Sequence, residues 1–200
     1  LRMGSSMSSV EGMTGALGSD VTIPAAGITG VLPVGVTGGS GLDAVSAGIT
    51  EADLWRLTTS IGQNGSVNFI TANQTRYETN NKIGTGFAAP SSGVFTFPST
   101  GIWWITATFA IYYDTDVDRV ASGRIYITTD NSSYAVAAES FTPVTENHEK
   151  ASPVAQIFFD CTSTTTHKVK FATISSNDKT LLGHATELLT YFIFVRLGDT

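Results

Sequence analysis

The chain has 200 residues, a formal net charge of −6 and 14% charged side chains, well below the roughly 25% usual for soluble domains. Phosphate neutralisation needs clustered Lys and Arg, so an acidic chain with only 11 of them is not expected to bind nucleic acid. No run of about 18 apolar residues is present, so no helix is expected to insert into a membrane.

Cys161 is the single cysteine, which leaves no intrachain disulfide; stability has to come from packing or from assembly. Two hundred residues suffice for one domain with an extension, and composition divides them near residue 50. None of the 20 aromatic residues precedes Trp55, while the first fifty positions are rich in Gly, Ser and Met. A stretch without aromatic rings cannot build a packed core alone. Residues 1–50 therefore read as an extended N-terminal arm and residues 51–200 as the folded domain. The first residue is Leu1, with no apolar stretch behind a basic start, so the expectation is a processed product or a piece of a longer polypeptide, without a secretory leader.

Within the arm, Ile28, Leu32, Val34 and Leu42 recur between glycines. Such a segment is either a flexible linker or one of several chains wound side by side, the glycines permitting close approach. The spacing favours the second, and makes these four residues candidate shaft or anchor positions. Gly27-Ile28-Thr29-Gly30-Val31-Leu32-Pro33-Val34, continuing to Gly38-Gly39-Ser40-Gly41-Leu42, resembles a segment that recurs in phage tail-fibre and other virion proteins. It departs from them at Gly35-Val36, where that family carries Ala-Asn.

From residue 51 onward, runs rich in Thr, Val, Ile and aromatics alternate with clusters of Asn, Asp, Ser and Gly. Strands are expected near 54–61, 66–71, 75–78, 94–97, 102–113, 122–129, 133–141, 153–160, 166–175 and 187–197. Residues 133–140 also suit a short helix, but the preceding Thr129-Asp130-Asn131-Ser132 turn favours a returning hairpin strand. About ten strands with regular turns imply an all-β, two-sheet sandwich or jelly roll.

Two strands carry most of the information. In the long one, Trp103, Ile105, Ala107, Phe109, Ile111 and Tyr113 share a face and should point into the core. The opposite face, with Ile102, Trp104, Thr106, Thr108, Ala110 and Tyr112, is too apolar for plain solvent. In the last strand, Leu189, Tyr191, Ile193, Val195 and Leu197 form the expected core face. That would leave Phe192 and Phe194 outside, where either a neighbouring subunit or another part of the same chain covers them. Trp104, Tyr112, Phe192 and Phe194 are accordingly the candidate subunit-interface residues.

The hairpin Gly93-Val94-Phe95-Thr96-Phe97-Pro98-Ser99-Thr100-Gly101 and the strand after it resemble the early part of the C1q/TNF-like jelly-roll domain. Arg124–Thr129, Val154–Asp160 with Lys168–Phe171, and Thr190–Leu197 resemble its later strands, although its small Ser-Gly pair is absent from the last. Ile49–Ser60 looks like the opening of C1q-like domains of marine phage proteins. The resemblance implies a C1q/TNF-like β-sandwich that assembles as a homotrimer.

Chemistry-bearing patterns are sparse. There is no nucleophile elbow, P-loop or dinucleotide fingerprint, so neither an enzyme nor a cofactor is expected. Asp114, Asp116 and Asp118 alternate in one loop, either as a solvated acidic turn or as a weak calcium site; Arg119 stands where a calcium loop needs glycine. His148, His167 and His184 lie in separate segments without metal-ligand spacing. The combined reading is a trimeric phage virion protein: a surface fibre, spike or capsid decoration acting in adhesion or particle assembly. Its arm would engage other virion proteins of capsid or tail, and loops 114–121, 143–152 and 175–186 a host glycan or receptor. The alternative is a secreted C1q/TNF-like ligand or carbohydrate-binding module.

Overall fold

A computed structural model describes residues 48–200 except 65, 79–80, 115–119 and 176–178. The arm positions Ile28, Leu32, Val34 and Leu42 lie outside the described residues, as do Asp116 and Asp118. The described part is all-β: β1 (Ala52–Leu57), β2 (Ile61–Gln63), β3 (Ser66–Phe69), β4 (Gln74–Arg76), β5 (Lys82–Ile83), β6 (Phe95–Thr96), β7 (Gly101–Thr108), β8 (Ile111–Tyr112), β9 (Val120–Thr128), β10 (Ala135–Pro143), β11 (Lys150–Ala151), β12 (Val154–Cys161), β13 (Lys168–Ser175), β14 (Lys179–Leu181) and β15 (Tyr191–Gly198).

All pairings are antiparallel. The first sheet runs β12-β7-β15-β1-β4, with β5 also on β1; the second runs β10-β9-β13-β3, with β6 on β13; a smaller third runs β11-β8-β14-β2. The extra elements relative to the expected ten are two- or three-residue ladders. These are too short for a period of two to register in sequence.

The expected long strand is broken at Phe109-Ala110, between β7 and β8. There the chain leaves the first sheet for the third. Phe109 N–H donates to the Pro153 carbonyl (3.1 Å), and Ala110 N–H to the Thr190 hydroxyl (3.0 Å), so neither buried donor is orphaned by the switch. The stretch 135–143 is a strand. The turn before it carries Asn131 at φ 60°, and its Asp130 carboxylate accepts the Ser132 and Ser133 N–H groups (2.8 and 2.7 Å).

Between the first two sheets lies an aromatic core. Trp103, Ile105, Ala107, Phe109, Ile111 and Tyr113 are all fully buried, as the alternation predicts. The last strand is oriented opposite to expectation: Phe192 and Phe194 are 0% exposed and face the core. Register explains it. Phe192 stands opposite Ala107 and Phe194 opposite Ile105, and cross-strand partners share a face. The small Ala107 leaves room for Phe192, which stacks on Phe171 with ring centroids 4.0 Å apart; Phe194 packs on Phe87 at 4.2 Å. Phe192 and Phe194 are therefore core residues, and cannot be contact residues between subunits.

Close approach fixes two glycines. A Cβ at Gly93 (φ +78°) would lie 1.9 Å from the Ile70 carbonyl oxygen, and one at Gly123 would lie 2.1 Å from the Phe109 ring.

Candidate functional site

With Phe192 and Phe194 inside, the outer face of the first sheet presents Tyr191, Ile193 and Val195 from β15. Register carries an unbroken apolar row across five of its six strands. Phe158 of β12 stands opposite Trp104 of β7, Trp104 opposite Val195 of β15, Val195 opposite Ala52 of β1, and Ala52 opposite Ile83 of β5. Phe158 is 67% exposed, Ile83 48% and Trp104 39%. Ile102 flanks the row on the same face, and Val154 lies two rows further along β12, both exposed. A parallel row through Gln156, Thr106, Ile193 and Leu54 is mixed, with the Gln156 amide donating to the Thr106 hydroxyl at 3.5 Å.

Exposed apolar residues aligned in this way mark contact surfaces, because each ring left in water forgoes the stabilisation of burial. The face is rigidly held from behind. The Asp53 carboxylate, buried beneath β1, is paired with Arg76 (2.8 and 2.9 Å) and accepts the Phe87 N–H (2.7 Å). Arg76 also lies over the Trp55 ring at 5.0 Å. Removing either charge would leave the other unpaired in a low-dielectric place. The bonding to Asp53 raises the Arg76 pKa against the opposing effect of burial.

Of the four residues assigned to an interface from sequence, only Trp104 lies on this face. Tyr112 sits in the third sheet, opposite Lys150 and Thr180. Its hydroxyl bonds His148 Nδ1 (3.1 Å) and donates to Asp114 (3.4 Å). Partial desolvation and the neighbouring Asp114 charge raise its pKa. Asp114 is also 3.3 Å from His148 Nδ1. No group of three His, Cys, Asp or Glu able to hold a metal occurs among the described residues.

Phe158 carried a signal that strand alternation alone could have used, whereas Ile83, in the two-residue β5, did not. Val154, Gln156, Phe158 and Asp160 form one face of their strand, and Ala155, Phe159 and Cys161 the buried one. What sequence lacked was the identity of the neighbouring strand, which decides whether an apolar face is covered.

The outer face of the second sheet is built differently. The Lys170 ammonium lies 3.9 Å from both the Phe69 and Tyr134 ring centroids, filling the space between them. Desolvation there lowers its pKa. Beside it, Glu139 pairs with Arg124 at 2.7 Å and accepts the Ser122 hydroxyl at 2.7 Å. Burial pushes the Glu139 carboxyl up, but these donors together outweigh it and hold the carboxyl below its usual range.

His167 and Cys161 are also buried. His167 shares its ring nitrogens with the Thr162 and Thr166 hydroxyls, both at 3.1 Å. Cys161 is fully buried, and desolvation raises its thiol pKa, opposite to what a reactive cysteine needs.

No family model and no curated protein matches the chain. Solved structures do. It is similar to Eiger TNF from S. frugiperda, at 10% identity and a TM-score of 0.59 over 74% of this chain and 93% of that one. It is also similar to murine APRIL, at 12% identity and a TM-score of 0.55 over 74% of this chain and 98% of that one. The fold is a C1q/TNF-like jelly-roll β-sandwich.

Proposed function

We propose that this chain is a homotrimeric, non-catalytic structural component of a phage particle. A jelly-roll head at the particle surface would serve adhesion or assembly, and the Gly-rich arm would meet other virion proteins. The carrying observation is the apolar row Phe158–Trp104–Val195–Ala52–Ile83 on an otherwise complete sandwich. A surface that is this apolar and this rigid suits a second copy of the chain more than a substrate. The C1q/TNF-like fold is consistent with a three-fold assembly. The likeness of residues 27–42 to virion fibre segments supports the particle as the place of action.

Light scattering on the full chain should return three times the 21.1 kDa chain mass. Immunogold labelling of intact particles should decorate capsid or tail at regular positions. A single-chain mass would remove the trimer, and unlabelled particles from a host that expresses the chain would remove the virion role.

A further inference from the structure

The apolar row begins at a knob and ends at a hole. At the β12 edge of the first sheet, Phe158 projects with two thirds of its surface in water. At the opposite edge, a depression of about 370 Å³ opens beside β5. Ala52, Leu54, Ile83 and Ile193 line its apolar part, and Asp53, Asn81 and Lys82 complete the lining. Knob and hole lie on one register line but four strand spacings apart, roughly 19 Å. They cannot meet within one chain.

Lys82 takes no part in the hole's outer mouth: it stands opposite the inward-facing Asp53, on the other side of β5 from Ile83, where its ammonium donates to the Thr85 carbonyl at 2.8 Å. The depression sits at the small end of the roughly 300–1,000 Å³ span of binding clefts. It is wide enough for an aromatic ring with its polar neighbours.

We infer that Phe158 of each copy seats in the Ile83 hole of the next. This inference rests on the trimer proposed above and specifies its geometry. The contact is head-to-tail: each copy uses two different patches, so assembly ends only when the ring closes. Knob and hole at opposite edges of one face meet that requirement, since every copy then offers one of each.

The test uses the full chain carrying Cys161→Ala, to which Ile83→Cys and Phe158→Cys are added singly and together. After treatment with a short bis-maleimide, the double variant should give a denaturing-gel ladder ending at three chains. Each single variant should stay at one chain. A ladder ending at two chains, or Phe158→Cys linking to itself, overturns the head-to-tail seat. Truncating the knob supplies a second readout: Phe158→Ala empties the hole and should weaken assembly several-fold on dilution, and unchanged assembly also counts against the seat. If light scattering gives three chains while the double variant does not cross-link, the seat is wrong and the trimer stands. A single-chain mass for the unmodified protein sinks both.

Discussion

Asp130 holds the turn before β10 with one carboxylate oxygen, which accepts the Ser133 N–H, the Thr128 hydroxyl and the Ser132 N–H at 2.7, 2.7 and 2.8 Å. These bonds favour the charged form and hold its pKa far below the usual value, the Ser133 N–H contributing most. A group depressed on folding contributes stability above its unfolded pKa, about 3.9 for Asp, and loses it as pH falls through the folded value. Asp130→Ala should therefore melt at a lower temperature than the native chain from neutrality down to about pH 4. The gap should narrow at more acidic pH. Thermal melts followed by circular dichroism at several pH values check this, and a pH-independent gap would show that the charge contributes nothing. Phe192 poses a different single-residue question. Its ring is stacked on Phe171 inside the sandwich, so Phe192→Ala should cost about 3–5 kcal/mol of folding stability. Urea denaturation would read that loss; subunit release from a still-folded chain would contradict the core placement.

The passage from β7 to β8 depends on a residue from a distant part of the chain. Thr190, fully buried, accepts the Ala110 N–H just where the chain changes sheets. Thr190→Val keeps the shape and deletes the acceptor, leaving a buried donor unpaired at a cost of about 1–3 kcal/mol. Chemical denaturation should show that loss; an unchanged midpoint would mean that water or another acceptor reaches Ala110. This contact also marks where sequence legibility ends. The core face of residues 103–113 was readable because six consecutive inward positions are apolar or aromatic. The break inside that run was not, because it is set by Thr190 and Pro153, some 80 and 44 positions away. The same limit reversed the faces of β15. Both of its faces are apolar, and only its pairing with Ile105 and Ala107 decides that the phenylalanines turn inward. Trp104 was found because its own strand alternates clearly. Phe158 and Ile83 gain their meaning from Trp104, Val195 and Ala52 lying between them, an alignment of five separate strands.

At the scale of the whole molecule, the three tryptophans offer a report on assembly that needs no label. Trp55 and Trp103 are buried at 3% and 0% exposure, whereas Trp104 lies on the apolar row at 39%. Burial of that row between copies moves one of the three indoles from water to an apolar setting and leaves the other two where they are. Emission should therefore shift to longer wavelength on dilution through the dissociation range, and Trp104→Phe should abolish the shift. Mass action adds an independent signature, since a state stabilised by association melts at a temperature that rises with protein concentration. Trp104→Lys, which places a charge in the middle of the row, should remove both the spectral shift and the concentration dependence while the sandwich still folds. Its far-ultraviolet circular dichroism should stay that of the native chain, because Trp104 is exposed and not part of the buried core cluster. If dilution leaves both emission and melting temperature unchanged in the native chain, the row stays solvated at every concentration, and the trimer loses the surface on which it was built.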